Sequence, residues 1–207
     1  MHSWSVVVPA KRLAVAKTRL RPVTHGEGAH AELVLALLAD TVSAALASPV
    51  VGAVIVVTDD AAAAAVVRDL GARIVPDEPD RGLNPALEHG ARSAGDQAVA
   101  ALSSDLPAMR PEQLTAALDA ARPATRCFVA DALGTGTTLL TAVGTALRPQ
   151  FGRESAAAHR AGGAVELDGP WPGLRRDVDT AADLRAALAL GAGPRTTALM
   201  NHLSAAR

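Results

Sequence analysis

Val51-Gly52-Ala53-Val54-Ile55-Val56-Val57 is the stretch on which the fold class turns. A continuous run of mostly β-branched apolar residues suits a strand covered on both faces, as in a parallel sheet. Directly after it, Thr58, Asp59 and Asp60 offer helix N-caps, an alanine run follows, and Gly71 supplies a stop. The spacing predicts a helix over 59–70. Working outward, the same unit recurs. Residues 5–8 (SVVV) read as a strand stopped by Pro9, and 27–47 has helical length. Residues 73–75 and 98–102 read as strands, 84–95 and 111–121 as helices, the last with Pro at its first position. This alternation implies an α/β fold: an open, mostly parallel sheet with helices on both faces. In the second half, 126–130, 138–143 and 164–167 are expected strands. Residues 154–161 and 180–190 are expected helices, Thr180 and Asp183 forming a near capping box. No linker divides the chain, so 1–207 is expected to be one domain, with a peripheral tail after about 193.

Composition excludes several function classes. With 49% apolar residues but only Trp4, Phe128, Phe151 and Trp171 as aromatics, the core must be built from Ala, Val and Leu. The same scarcity leaves no stacking platform for single-stranded nucleic acid. A net charge of −1 gives no field to draw DNA or a membrane surface. Cys127 is the sole cysteine and makes neither an internal disulfide nor a thiolate cage. No leader pattern opens the chain, and the apolar runs near 33–38 and 50–57 are too short to span a bilayer. A cytoplasmic protein without nucleic-acid or membrane partners is expected. P-loop, dinucleotide, nucleophile-elbow and zincin motifs are all missing. Among the six histidines, His159 merits attention, because it shares a short helix with Ser155.

Ligands of open α/β sheets gather at the carboxyl ends of the strands. Four groups of residues are therefore of interest. Lys11, Arg12, Lys17, Arg19 and Arg21 crowd the segment after the first strand, which reads either as a solvated basic loop or as a cover for polyphosphate. Asp105, in Ser103-Ser104-Asp105-Leu106-Pro107, reads as an Asx-turn residue or as a Mg²⁺ ligand beside phosphates. Asp177 and Asp179 alternate before a helix; Asp179 has a role in helix entry, whereas Asp177 is suited to pair with Asp105 on a metal. Gly134-Thr135-Gly136-Thr137 and Phe151-Gly152-Arg153-Glu154-Ser155 are ordinary turns or a hydroxyl-rich anion pocket.

At these residues the chain resembles the guanylyltransferases of deazaflavin coenzyme F-420 biosynthesis, which use phosphoenolpyruvate or 2-phospho-L-lactate; the actinobacterial, phosphoenolpyruvate type is the nearer. The resemblance runs from Val6 to about Gly193. It is carried by Ala10-Lys11-Arg12-Leu13, Ala16-Lys17-Thr18-Arg19-Leu20, Leu83-Asn84, Asp105-Leu106-Pro107, the stretches around Asp131–Thr137 and Phe151–Ser155, and Trp171-Pro172-Gly173-Leu174-Arg175 with Asp177-Val178-Asp179-Thr180. It implies a Rossmann-like nucleotidyltransferase sheet related to molybdenum-cofactor guanylyltransferases. It implies Mg²⁺ on Asp105 and Asp177, and the acid substrate at Thr137, Gly152 and Ser155. On that basis a phosphate oxygen of phosphoenolpyruvate is expected to attack the α-phosphorus of GTP. Asp179 is then an added metal ligand, Lys17 a catalytic cation, Lys11, Arg12 and Arg19 triphosphate contacts, and Asn84 a reader of the nucleoside. Ser104 departs from the family, which often has Gly or Ala there. The alternatives are the same chemistry on 2-phospho-L-lactate or 3-phosphoglycerate, and a non-catalytic nucleotide-binding module.

Overall fold

Alternate residues of β1 (Trp4–Pro9) leave on opposite sides of the sheet. Val6 and Val8 enter one core, Val7 the other. β2 (Val51–Val57) divides the same way: Val54 and Val56 join the first core, Ile55 and Val57 the second. The uninterrupted apolar reading of these strands is thus explained by burial on both faces. The computed structural model of the chain describes residues 3–10, 17–24, 27–78, 80–95 and 97–205. The remaining strands are β3 (Arg73–Val75), β4 (Ala98–Leu102), β5 (Arg126–Ala130), β6 (Thr137–Val143) and β7 (Val165–Glu166). Among the described residues they form one seven-stranded sheet of order β3-β2-β1-β4-β6-β5-β7. β6 alone runs antiparallel to its neighbours, β4 and β5; the other pairings are parallel.

The helices are α1 (Arg21–Thr24), α2 (Glu27–Leu46), α3 (Ala61–Asp69), α4 (Leu83–Ala94), α5 (Pro111–Ala121), α6 (Ser155–Ala161), α7 (Pro172–Arg175), α8 (Ala181–Ala189) and α9 (Pro194–Ala205). Leu38 and Val42 of α2, Val67 of α3 and Leu114 of α5 cover the first face; Leu87 of α4 and Ala156 of α6 cover the second. Helices on both faces match expectation. The caps are those the sequence offers. Asp60 accepts from the amides of Ala62 and Ala63, and Thr180 with Asp183 closes a full capping box.

One expectation needs correction. By length and composition, 28–46 of α2 is apolar enough to cross a membrane, contrary to the reading of short, interrupted runs. Its apolar residues are instead committed to the protein: Leu38 and Val42 pack on the sheet, while Leu33 and Leu37 pack with Leu20, Val178 and Leu184. The tail after 193 is a mostly exposed helix, α9, tied to α2. Asp40 of α2 receives the Arg195 and Thr196 amides at 3.2 and 2.8 Å, capping α9, and Thr196 is buried.

Candidate active site

The parallel neighbours β1 and β4 end at the same edge of the sheet, and β5 ends there too, since both β4 and β5 oppose β6. The antiparallel strand β6 begins at that edge. Asp105 and Asp131 therefore follow strands that stop side by side, and Thr137 starts the strand between them. All three line a cleft of about 1030 Å³, together with Lys17, Asp177 and Asp179.

The distant acids are brought together by backbone and burial. Val178 N–H donates to the Asp105 carbonyl at 3.1 Å. Val178 is fully buried, and that burial stabilises by about 2 kcal/mol. It anchors the chain on both sides of itself, so that Asp177 is half-buried and Asp179 exposed at the cleft. On the other side, the Leu106 amide is held by Thr41 Oγ1 at 2.9 Å. Ser104 is not left-handed, so its Cβ causes no backbone strain.

Lys17 Nζ is bonded to Asp105 Oδ2 and to Asp179 Oδ1, the latter at 2.5 Å. Burial opposes the lysine's charge, but the attraction of Asp105, and then of Asp179, outweighs it and raises the ammonium above its ordinary value. Asp177 responds oppositely. Burial, followed by the charges of Asp105, Asp179 and Asp131, pushes its carboxyl up to about 7, against a smaller pull from Lys17. The cluster thus carries more negative charge than one ammonium balances. Hard carboxylate oxygens short of positive charge fit a divalent cation of the Mg²⁺ type. Among the described residues, no three His, Cys, Asp or Glu side chains stand close enough to cage a metal alone. A divalent cation held here would take the rest of its coordination from phosphate oxygens and water.

Thr137, Gly152 and Ser155 line the same cleft. Gly152 has φ 141°, a region open to glycine and strained for other residues. Asp131 shapes the facing loop: its Oδ1 accepts from the amides of Leu133 at 3.1 Å and Thr135 at 3.0 Å. A Cβ at Gly136 would lie 2.4 Å from Asp131 Oδ2, so the loop needs glycine there. Behind Thr137, His159 is buried, and burial pushes its imidazole down to about 4.

The predicted residues fall into three groups. Lys17, Asp105, Asp177, Asp179, Thr137, Gly152, Ser155 and Arg19 meet in the cleft. Lys11 and Arg12 lie outside the described residues. Asn84, expected to read the nucleoside, does something else. Its amide accepts from Phe151 N–H at 2.8 Å and donates to Phe151 C=O at 3.0 Å, and so clamps the loop carrying Gly152 and Ser155. Asp131 was given no role from sequence. The signal was present: like Asp105, it follows an apolar strand and precedes a turn.

Known proteins resemble the chain in sequence and in fold. Residues 4–164 match the family described as "Guanylyl transferase CofC like". The chain is 71% identical over 204 residues to the phosphoenolpyruvate guanylyltransferase of Geodermatophilus obscurus, covering 97% of this chain and 95% of that one. It is 57% identical over 199 residues to the enzyme of the same name from Salinispora arenicola, covering 95% and 92%. In fold it is similar to a solved nucleotidyl transferase from Methanothermobacter, with a TM-score of 0.62, 22% identity, and coverage of 91% of this chain and 97% of that one. The chain belongs to the CofC-like guanylyl transferase family.

Proposed function

We propose that this chain joins GTP and phosphoenolpyruvate into enolpyruvoyl-diphospho-guanosine and releases pyrophosphate, a step in coenzyme F-420 biosynthesis. The reading is supported by relatives that carry the name phosphoenolpyruvate guanylyltransferase. The observation that carries it is a single cleft lined by two chemically distinct sets of residues: Lys17, Asp105, Asp177 and Asp179, and Thr137, Gly152 and Ser155.

The nucleophile is a phosphate oxygen of the acid, already anionic at neutral pH, so no general base is required. Its bond to the α-phosphorus of GTP forms as the bond from that phosphorus to the bridging oxygen of pyrophosphate breaks. The obstacle is charge repulsion and orientation, which are met by positioning and electrostatics. Asp105 and Asp177, with Asp179, would hold Mg²⁺, which when bound neutralises charge on the α-phosphate and the departing pyrophosphate. Lys17, held by Asp105 and Asp179, stays protonated and supplies a cation to the phosphate oxygens. Arg19 lines the cleft and contacts the triphosphate, a role that the sequence also gives Lys11 and Arg12. The Thr137 and Ser155 hydroxyls and the backbone at Gly152 orient the acid.

The test is a matrix of nucleotides against acids with pyrophosphate release as readout. GTP, ATP, CTP and UTP are each paired with phosphoenolpyruvate, 2-phospho-L-lactate and 3-phosphoglycerate, with Mg²⁺. Release is expected for GTP with phosphoenolpyruvate above all other pairs. Preference for another nucleotide or another acid would refute the assignment.

A further inference from the structure

His159 stands directly behind Thr137, which lines the cleft. Its Nδ1 lies 2.9 Å from Thr137 Oγ1, and its Nε2 lies 2.9 Å from the backbone N of Gln150. The ring is buried between Phe128 and Phe151, at centroid distances of 5.9 and 5.2 Å. A backbone N–H can only donate, so Nε2 must be bare and accept. In a neutral ring the one proton then sits on Nδ1 and is donated to Thr137. The Thr137 oxygen is used as an acceptor, and its own proton has to point elsewhere. Thr137 lines the cleft, and among the described residues His159 is the partner shown for its hydroxyl.

Resting on the acceptor-site reading above, we infer that His159 is a positioning residue for the acid substrate: it fixes the Thr137 hydroxyl as a donor aimed at the acid's anionic oxygens. The direction of the proton is what matters. Carboxylate and phosphate oxygens only accept at neutral pH. The opposite tautomer would draw the threonine proton back to Nδ1 and present a lone pair to an anion. The same ring, through Gln150, fixes the residue preceding the Phe151–Ser155 loop, so one side chain holds both Thr137 and the entry to that loop. Burial keeps the ring neutral and so preserves the polarity of the relay.

Two variants separate this role from simple packing. His159→Gln retains an acceptor for the Gln150 amide and loses the donor to Thr137. His159→Asn retains a donor near the Nδ1 position. In the full chain, with folding checked by melting, His159→Gln should raise KM for phosphoenolpyruvate roughly tenfold while KM for GTP is unchanged. His159→Asn should stay within about threefold of wild type. An unchanged phosphoenolpyruvate KM in His159→Gln, or equal impairment in both variants, overturns the inference. Nitrogen-15 NMR of the imidazole gives a readout free of turnover: a protonated Nδ1 and a bare Nε2 are expected, and the reverse tautomer or a charged ring at neutral pH overturns it. Wild-type protein that releases no pyrophosphate with any acid would instead fail the functional reading, and the tautomer alone would then decide the inference.

Discussion

The Asp105 carbonyl accepts a hydrogen bond from Val178 N–H at 3.1 Å, and this contact joins the end of β4 to the segment entering α8. Two regions far apart in sequence are thereby locked into one acidic cluster around Lys17. The placement is set by the fold. β4 delivers Asp105 to the sheet edge, and the buried Val178 side chain delivers Asp177 and Asp179.

Asp105→Asn and Asp177→Asn should each lower turnover by roughly 100-fold or more, since charge stabilisation at the reacting phosphorus is lost. Asp177→Asn should not lower the melting temperature of the metal-free protein, because it removes a like charge from a crowded cluster. Steady-state kinetics and calorimetry check the pair of outcomes. Near-normal turnover in either variant contradicts the assigned role.

Asn84→Ala removes the two-point clamp on Phe151. It should raise KM for the acid roughly tenfold and leave KM for GTP unchanged. A rise confined to GTP would restore the nucleoside role expected from sequence.

Gly152→Ala forces a Cβ into backbone at φ 141°. The clash is with the residue's own backbone, as nothing else lies within 4 Å of the added atom. A loss of about 1–3 kcal/mol in stability is expected, with weakened acid binding, measured by denaturation and calorimetric titration.

Stability should fall in acid through His159. Its folded imidazole is pushed down to about 4 from an ordinary 6.5, so the unfolded chain takes up a proton that the folded chain refuses. The contribution is fully present above about 6.5 and is lost as pH falls through about 4. Wild type should therefore lose about 3 kcal/mol relative to His159→Asn between neutral pH and pH 4. Denaturant midpoints across that range provide the check; parallel curves would contradict it.

Much of the fold was legible because its strands are continuous apolar runs and its helices carry their own caps. Val51–Val57 and the Asp60 cap are examples. Direction was not legible. Nothing in Thr137–Val143 distinguishes an antiparallel strand from a parallel one, because both of its neighbours bury it equally. The short helices α1 and α7 were missed for want of a full period, and β7 proved to be Val165–Glu166 with an exposed edge, prolonged only by the Leu167 amide on Phe128. At the site, acids and hydroxyls were readable from their places after strands. Asn84 and His159 act through hydrogen bonds to Phe151 and Gln150 that depend on loop geometry, which local sequence does not encode.

The most direct test follows the transferred group itself. GTP radiolabelled at its α-phosphate is incubated with the chain, Mg²⁺ and phosphoenolpyruvate, and the products are separated. The label should move into a new guanosine adduct of the acid as pyrophosphate appears, and should stay in GTP with Asp105→Asn. Label that remains in GTP with the wild-type chain, or that emerges as GMP or GDP without the acid attached, would contradict the account.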